Sequence, residues 1–374
     1  MKCFAPWHSI TVRFNGDIVP CCVYKERYGN VLKTPLNTVL DSLTASHTKD
    51  SFRNGVLPPA CQQCALKEES AGHSRRLFFR DTLNPMLENT NYDYSKNFTD
   101  IYFLEFNMSN ICNLKCRMCS GLASSAWVKD DIKLHNLDSN YQRPVNSPEF
   151  GYTNKSEQII ERLFEDPTPF MNLQYLSILG GEPYMEPANK IILQKFIDLG
   201  IAKNITLDWT TNGTIVDEEV HELAKQFGQT KWNISVEGTE GLYEYIRGGK
   251  NFTFAQLNEN LKQFDFATRV IITTTVMAYN IAHLDKLYWW FEENKQDNWE
   301  IYFTNVVVTP PYLNPQVLPN SVLDKIDFRF PNIKYTSKDD SKLLDTFVKY
   351  TKDLDKIRNE NVLDYCPELS FLFK

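Results

Sequence analysis

No run of about eighteen apolar residues occurs in this 374-residue chain, so nothing in it reads as a membrane-spanning helix. The opening residues, Met1-Lys2-Cys3-Phe4-Ala5-Pro6-Trp7-His8, lack the apolar core of a secretory signal. Basic residues are not in excess: Lys and Arg total 40 against 47 Asp and Glu, a formal charge of −7. That balance supplies no broad electrostatic footprint for nucleic acid. Internal repeats and low-complexity segments are also missing. These absences point to a soluble, cytoplasmic protein with neither a membrane nor a nucleic acid as partner. Asn-x-Thr triplets such as Asn204-Ile205-Thr206 then carry no meaning as glycosylation sites. The one local basic run, His73-Ser74-Arg75-Arg76 through Arg80, reads as a solvated helix face.

What is present supports a packed core, with 42% apolar and 13% aromatic residues. The length suits one large α/β domain plus a small one. Nine cysteines stand out, and in a reducing compartment metal or cluster ligation is their leading use. Five lie before residue 65, three lie between 112 and 119, and Cys366 is alone. Cys366 reads as a buried thiol without a role.

The chain divides into stretches of different rhythm. In residues 1–75, Ser9–Phe14 and Asp17–Pro20 flank Asn15-Gly16, a hairpin signal, and the patterns near 36–55 and 61–72 are helical. This cysteine-rich α+β region is poor in apolar residues, so a metal centre would staple it. Residues 76–100 read as a connecting segment. Strand-like runs follow at Ile101–Phe106, Leu173–Leu179, Ile205–Trp209, Trp232–Val236, Val270–Met277 and Ile301–Val308. Helical patterns such as Glu218–Phe227 and Leu284–Asn294 separate them, which predicts a parallel sheet over 101–310. The polar stretch His135–Lys155 reads as a surface excursion, and residues 311–374 as a helical region packing on the sheet.

Cys112-Asn113-Leu114-Lys115-Cys116-Arg117-Met118-Cys119 follows the first of those strands. Three thiolates so close in sequence converge only from a loop, and loops at the C-terminal ends of parallel strands are where such sheets build sites. Thiolates select soft metals and iron–sulfur clusters. On spacing alone a cluster with one open iron and a structural zinc, with His8 or a distant cysteine as fourth ligand, both stay open.

The Cys-x3-Cys-x2-Cys spacing at the end of a first strand resembles the signature of the radical S-adenosylmethionine superfamily. The likeness continues in order over 101–310. Gly180-Gly181-Glu182-Pro183 looks like the family's GGEP motif, Thr211-Asn212-Gly213 follows the third strand, and Ser235-Val236-Glu237-Gly238 resembles its Ser-x-Asp-Gly, with Glu for Asp. Arg247, in Tyr245-Ile246-Arg247-Gly248-Gly249, matches an arginine that pairs with the methionyl carboxylate.

The resemblance implies a 4Fe–4S cluster on Cys112, Cys116 and Cys119. It also implies a cofactor site drawing on Gly180, Gly181, Glu182, Pro183, Asn212, Ser235, Glu237 and Arg247, with Met118 near the adenine. The expected fold is a partial (β/α)6 TIM-like barrel preceded by a small N-terminal cysteine-rich α+β domain. The activity implied is cleavage of S-adenosylmethionine to a 5′-deoxyadenosyl radical that abstracts a substrate hydrogen. Single-electron supply by a donor such as flavodoxin or ferredoxin goes with it. Tyr184, Glu186 and Tyr312, in strand-end loops, are candidates for proton or hydrogen transfer.

Cys3, twelve residues, Gly16, four residues, Cys21, then Gly29-Asn30, Pro58-Pro59-Ala60 and Cys61-Gln62-Gln63-Cys64 resemble the SPASM/twitch auxiliary-cluster domain. Its placement before the barrel departs from the familiar order. The likeness implies an auxiliary 4Fe–4S cluster on Cys3, Cys21, Cys61 and Cys64; by spacing alone a zinc ribbon competes, and Cys22 competes with Cys21. Relatives with such domains modify peptides or proteins, so a polypeptide substrate is expected. A sugar or amino acid substrate is the alternative, and a zinc-stabilised non-catalytic binding module the alternative outside enzymes.

Overall fold

The computed structural model describes residues 3–71, 74–87, 92–97, 100–151, 155–248, 252–324, 326 and 335–373. His73, Gly249, and parts of the connecting segment, of the His135–Lys155 stretch and of the tail lie outside the described residues. Two compact units emerge: Met1–Ser109 with Thr153–Trp209 and Glu218–Thr230, and Asn110–Tyr152 with Thr210–Asp217 and Lys231–Lys374.

In the first unit, β1 (Ser9–Arg13) and β2 (Asp17–Val19) form the expected hairpin around Asn15-Gly16, with Thr11 opposite Val19. β3 (Gly29–Asn30) pairs with β2. Asn30 locks this ribbon: its Nδ2 donates to Asn15 O and to Asp17 Oδ1, both at 2.9 Å, and its Oδ1 accepts from Leu32 N at 3.0 Å. That is the physical content of the Gly29-Asn30 signature. Helices Leu36–Leu40, Leu43–Arg53 and Gln62–Ala71 follow. β1 also pairs in parallel with β4 (Phe103–Asn107), Ser9 opposite Phe103, so the hairpin continues the sheet. β5 (Tyr175–Leu179) pairs in parallel with β4 and with β6 (Thr206–Thr211).

The second unit carries most of β7 (Gln229–Ser235), then β8 (Arg269–Val276) and β9 (Trp299–Val306), joined in parallel. Helices Phe254–Leu261 and Leu284–Asn294 form the crossovers between them. Alternation sets the layers: in β6, Leu207, Trp209 and Thr211 are buried while Thr206, Asp208 and Thr210 are half-buried. The chain is thus of the α/β, partial TIM-like class, with strands that feed their C-terminal ends into the cysteine and glycine motifs.

Two stretches differ from the sequence reading. Arg75 and Arg76 are not a solvated face, because Arg75 pairs with Glu105 and Arg76 with Glu68, partners distant enough in sequence to escape a local pattern. Within the supposed surface excursion, Tyr141 and Arg143 are buried; Arg143 pairs with Asp131 and lies over Trp127 at 4.5 Å.

His8 is fully buried, with Nδ1 facing Asp100 O at 3.2 Å and Nε2 facing Tyr94 Oη at 3.3 Å. Both ring nitrogens are engaged here. Burial lowers its pKa from 6.5 to about 4, the Asp100 carbonyl opposing. The unfolded chain therefore binds this proton first as pH falls. The stability is complete above pH about 6.5 and lost on descent towards 4, on the order of 3 kcal/mol. Urea midpoints of wild type and His8→Gln should converge between pH 7 and pH 5. A gap between them that does not change with pH would refute this account.

Candidate metal centres

The loop 112–119 has no regular structure, so its shape must come from its surroundings. Nearly every turn of it is tied. Lys115 N donates to Arg247 O at 3.2 Å and Arg117 N to Ile246 O at 2.8 Å, a short ladder against the end of helix Glu240–Arg247. Trp127 Nε1 donates to Cys116 O at 2.8 Å, Ser124 Oγ to Leu114 O at 2.6 Å, Tyr350 Oη to Arg117 O at 3.0 Å and Arg143 to Cys119 O at 2.8 Å. The fully buried Arg117 guanidinium reaches Asp355 at 2.5 Å and Glu360 at 2.6 Å, donates to Tyr245 O at 2.9 Å, and stacks 3.5 Å from the Tyr245 ring. Asp355 belongs to helix Ser341–Arg358.

Held this way, two of the three sulfurs meet, Cys116 and Cys119 sharing a hydrogen bond. Cys119 is held below the usual thiol value, first by a hydrogen bond from Cys116 and then by the Arg247 charge; Cys116 is pushed up by the same hydrogen bond and by burial. Cys112 lies within electrostatic range of Cys119, and Asn212 Nδ2 stands 3.8 Å from Cys112 Sγ. Asn212 is itself fixed by Asn113 Oδ1 at 2.9 Å and by Thr214. Arg247 is buried and bridges to Glu237 at 3.0 Å, while its Nε has no hydrogen-bond partner among the described residues. Glu237, also buried, has its carboxyl raised by burial, Arg247 opposing. Ser235 ends β7 opposite Thr273.

Met118 and Cys119 open onto a cavity of about 860 Å³ that Tyr141, Arg143, Tyr312 and Lys349 also line. A soft, three-thiol donor set beside a cation with an unpaired N–H fits an anionic cluster and a carboxylate-bearing ligand.

The first unit holds the Gly180-Gly181-Glu182-Pro183 turn. Gly180 has φ +153°, and a β-carbon there would lie 2.9 Å from Ser109 O, so only glycine suits it. Gly181 N donates to that same Ser109 O at 2.9 Å, and the buried Glu182 accepts from Tyr184 N at 3.2 Å. Of the other candidates, Tyr184 Oη meets His221 Nε2 at 2.8 Å, and Glu186 accepts from Ser156 Oγ at 2.9 Å, a buried structural contact.

Cys3, Cys21, Cys61 and Cys64 line one small space with Tyr24, Ala60 and Phe79. Burial pushes the Cys3 and Cys61 thiols up to about 12. Four desolvated thiols around one void are a donor set that a cluster or zinc would ionise. Cys22 turns instead towards Glu105 and Arg75. Sequence reasoning missed Arg117, Arg143 and Tyr350. Only the arginine inside the cysteine motif gave a local signal.

Residues 106–290 match the Radical SAM superfamily and residues 3–65 match an iron–sulfur cluster-binding domain, SPASM. The chain belongs to the radical SAM superfamily, with a SPASM-type domain at its N-terminal side. A GTP 3′,8-cyclase of Mannheimia succiniciproducens is 24% identical over 183 residues, 49% of this chain and 47% of that protein. Among solved structures, anSMEcpe with bound AdoMet has 17% identity and TM-score 0.39, covering 69% of this chain and 62% of that one. Streptococcus suis SuiB bound to precursor peptide SuiA has 18% identity and TM-score 0.37, covering 87% and 64%. The chain spans about half the length of the curated relative it matches.

The geometry makes two demands testable. Gly248, at φ +68°, would place a β-carbon 2.6 Å from Lys115 O, so Gly248→Ala must push the loop away. Its iron content per chain should fall below that of the wild type prepared in the same way. Arg117→Leu leaves Asp355 and Glu360 buried without their cation and should cost about 3–5 kcal/mol of unfolding free energy. Wild-type iron in the first variant, or wild-type stability in the second, would contradict the tethering.

Proposed function

We propose that this chain is a radical enzyme that cleaves S-adenosylmethionine reductively and abstracts a hydrogen atom from a polypeptide substrate. The observation that carries the reading is the hydrogen-bonded Cys116–Cys119 pair, with Cys112 in electrostatic range of Cys119, beside buried Arg247, whose Nε has no hydrogen-bond partner among the described residues. Those cysteines would hold a 4Fe–4S cluster by three thiolates, leaving one iron for the cofactor. When bound, cluster and cofactor supply a 5′-deoxyadenosyl radical at the expense of one electron from a flavodoxin- or ferredoxin-like donor.

This chain's residues would do the rest. Arg247 would offer its free N–H edge to the methionyl carboxylate while Glu237 holds its other edge. In the reading from the motif, Gly180–Pro183 present backbone to the methionyl amino group, Ser235 reaches the cofactor from the end of β7 with Asn212 in the same site, and Met118 packs by the adenine. Cys3, Cys21, Cys61 and Cys64 would hold an auxiliary cluster.

The SPASM-type domain supports a peptide or protein substrate, and the 860 Å³ cavity beside Cys119 has room for a side chain with its flanking backbone. A small-molecule substrate is the second reading, favoured by the sequence likeness to a GTP cyclase. Among the described residues no helix is long and apolar enough to cross a membrane.

A screen for 5′-deoxyadenosine against peptides and small molecules, with deuterium transfer, identifies the substrate class. Cys116→Ala should bring 5′-deoxyadenosine to background with the fold retained, and Arg247→Lys should weaken cofactor binding about tenfold, or ~1.4 kcal/mol. Undiminished cofactor cleavage by Cys116→Ala would refute the assignment.

A further inference from the structure

Away from both cysteine centres, three donors of different kinds meet within the second unit. His283 closes the turn Ile281–His283, and Cys366 and Glu368 flank Pro367 at the turn Pro367–Leu369. His283 Nε2 lies 3.0 Å from Glu368 Oε1, and one ligand atom from each of the three residues lies within 4.8 Å of the others. Cys366 is fully buried and its thiol donates to Tyr279 O at 3.2 Å. An imidazole–carboxylate pair alone would need no sulfur beside it.

We propose that His283, Cys366 and Glu368 bind a single structural zinc ion, distinct from the cluster cysteines. Sulfur, imidazole and carboxylate together suit zinc, whereas calcium and magnesium take oxygen ligands. Bonds of about 2.3 Å to sulfur and 2.0–2.2 Å to nitrogen and oxygen place tetrahedral ligands roughly 3.4–3.6 Å apart. The present 4.8 Å limit then calls for a closure of about 1 Å, within reach of the half-exposed His283 and Glu368 side chains. Tyr279 O or a water completes the tetrahedron.

The site has something to hold. The segment after helix Ser341–Arg358 contains only the short turns Val362–Asp364 and Pro367–Leu369, which are weak on their own. Yet this segment stacks Tyr365 on Tyr245, centroids 4.6 Å apart, and Tyr245 O receives the Arg117 side chain. A metal at Cys366 would pin the segment that backs the 112–119 loop, since its binding free energy becomes folding free energy.

The test is zinc and iron per chain, by mass spectrometry, in the anaerobically reconstituted full-length protein after micromolar zinc sulfate and chelating resin. One zinc per chain is expected in the wild type, lost at least fivefold in Cys366→Ser and in His283→Gln, with iron unchanged. Zinc should also raise the melting temperature of the wild type and of neither variant. If Cys366→Ser does not fold, the partly exposed His283→Gln variant decides alone. A wild type without zinc, or zinc that survives both substitutions, would overturn the proposal.

Discussion

A positive charge with no exposure to water organises the cysteine loop. Arg117 sits between the first and last thiols of that loop, yet its side chain points away from them, onto Asp355 and Glu360. Burying a guanidinium is costly unless its partners are charged and well placed, and here two carboxylates, a carbonyl and an aromatic face share it. An irregular loop cannot specify its own geometry. By fixing one residue at its centre so firmly, the fold leaves the flanking thiols few directions to take. Helix Ser341–Arg358 takes part in this bracing, since it supplies both Asp355 and the Tyr350 hydroxyl that donates to Arg117 O.

Charge also explains the pairing of Arg247 with Glu237. A cluster held by three thiolates would be anionic, and the Arg247 charge favours the thiolate at Cys116 and Cys119. Left unpaired and buried, the arginine would itself be expensive. Glu237 neutralises one edge from across the strand end while Nε stays open. Glutamate in place of aspartate thus has a local reason: the longer side chain spans to Arg247 from the end of β7.

Much of this was legible because it is local. Alternation and β-branched runs placed the six parallel strands to within a few residues, and Asn15-Gly16 placed the hairpin. The cysteine spacings stood out because thiols with two or three residues between them are a local signal. What was hidden is long-range. Arg75 with Glu105, and Arg117 with Asp355, are pairs separated by 30 and 238 residues. No periodicity announces them, so Arg75 looked like one member of a solvated face. Arg143 was hidden differently: its segment is polar and short on regular structure, which is also how a surface loop reads, yet the guanidinium is anchored on Asp131 and Cys119 O. Polar composition marks where hydrogen-bonding groups are dense, not whether they face water.

The same distinction separates Cys21 from Cys22. Both lie past the end of β2, in the turn that Tyr24 N closes on Cys21 O at 3.1 Å, and their thiols go to different surroundings. Cys21 lines the space shared with Cys3, Cys61 and Cys64, and Cys22 faces Glu105 and Arg75 on the other side. Glu105 belongs to β4, the strand that β1 joins in parallel, and Thr11 of β1 donates to Glu105 at 2.9 Å. The hairpin that carries Cys21 is therefore fixed to the strand that leads towards the cysteine loop by both backbone ladder and side chain. The cysteine-rich region buries apolar residues of its own, Ile10, Val12, Ile18, Val39 and Ala45 among them, and gains further rigidity from that strand.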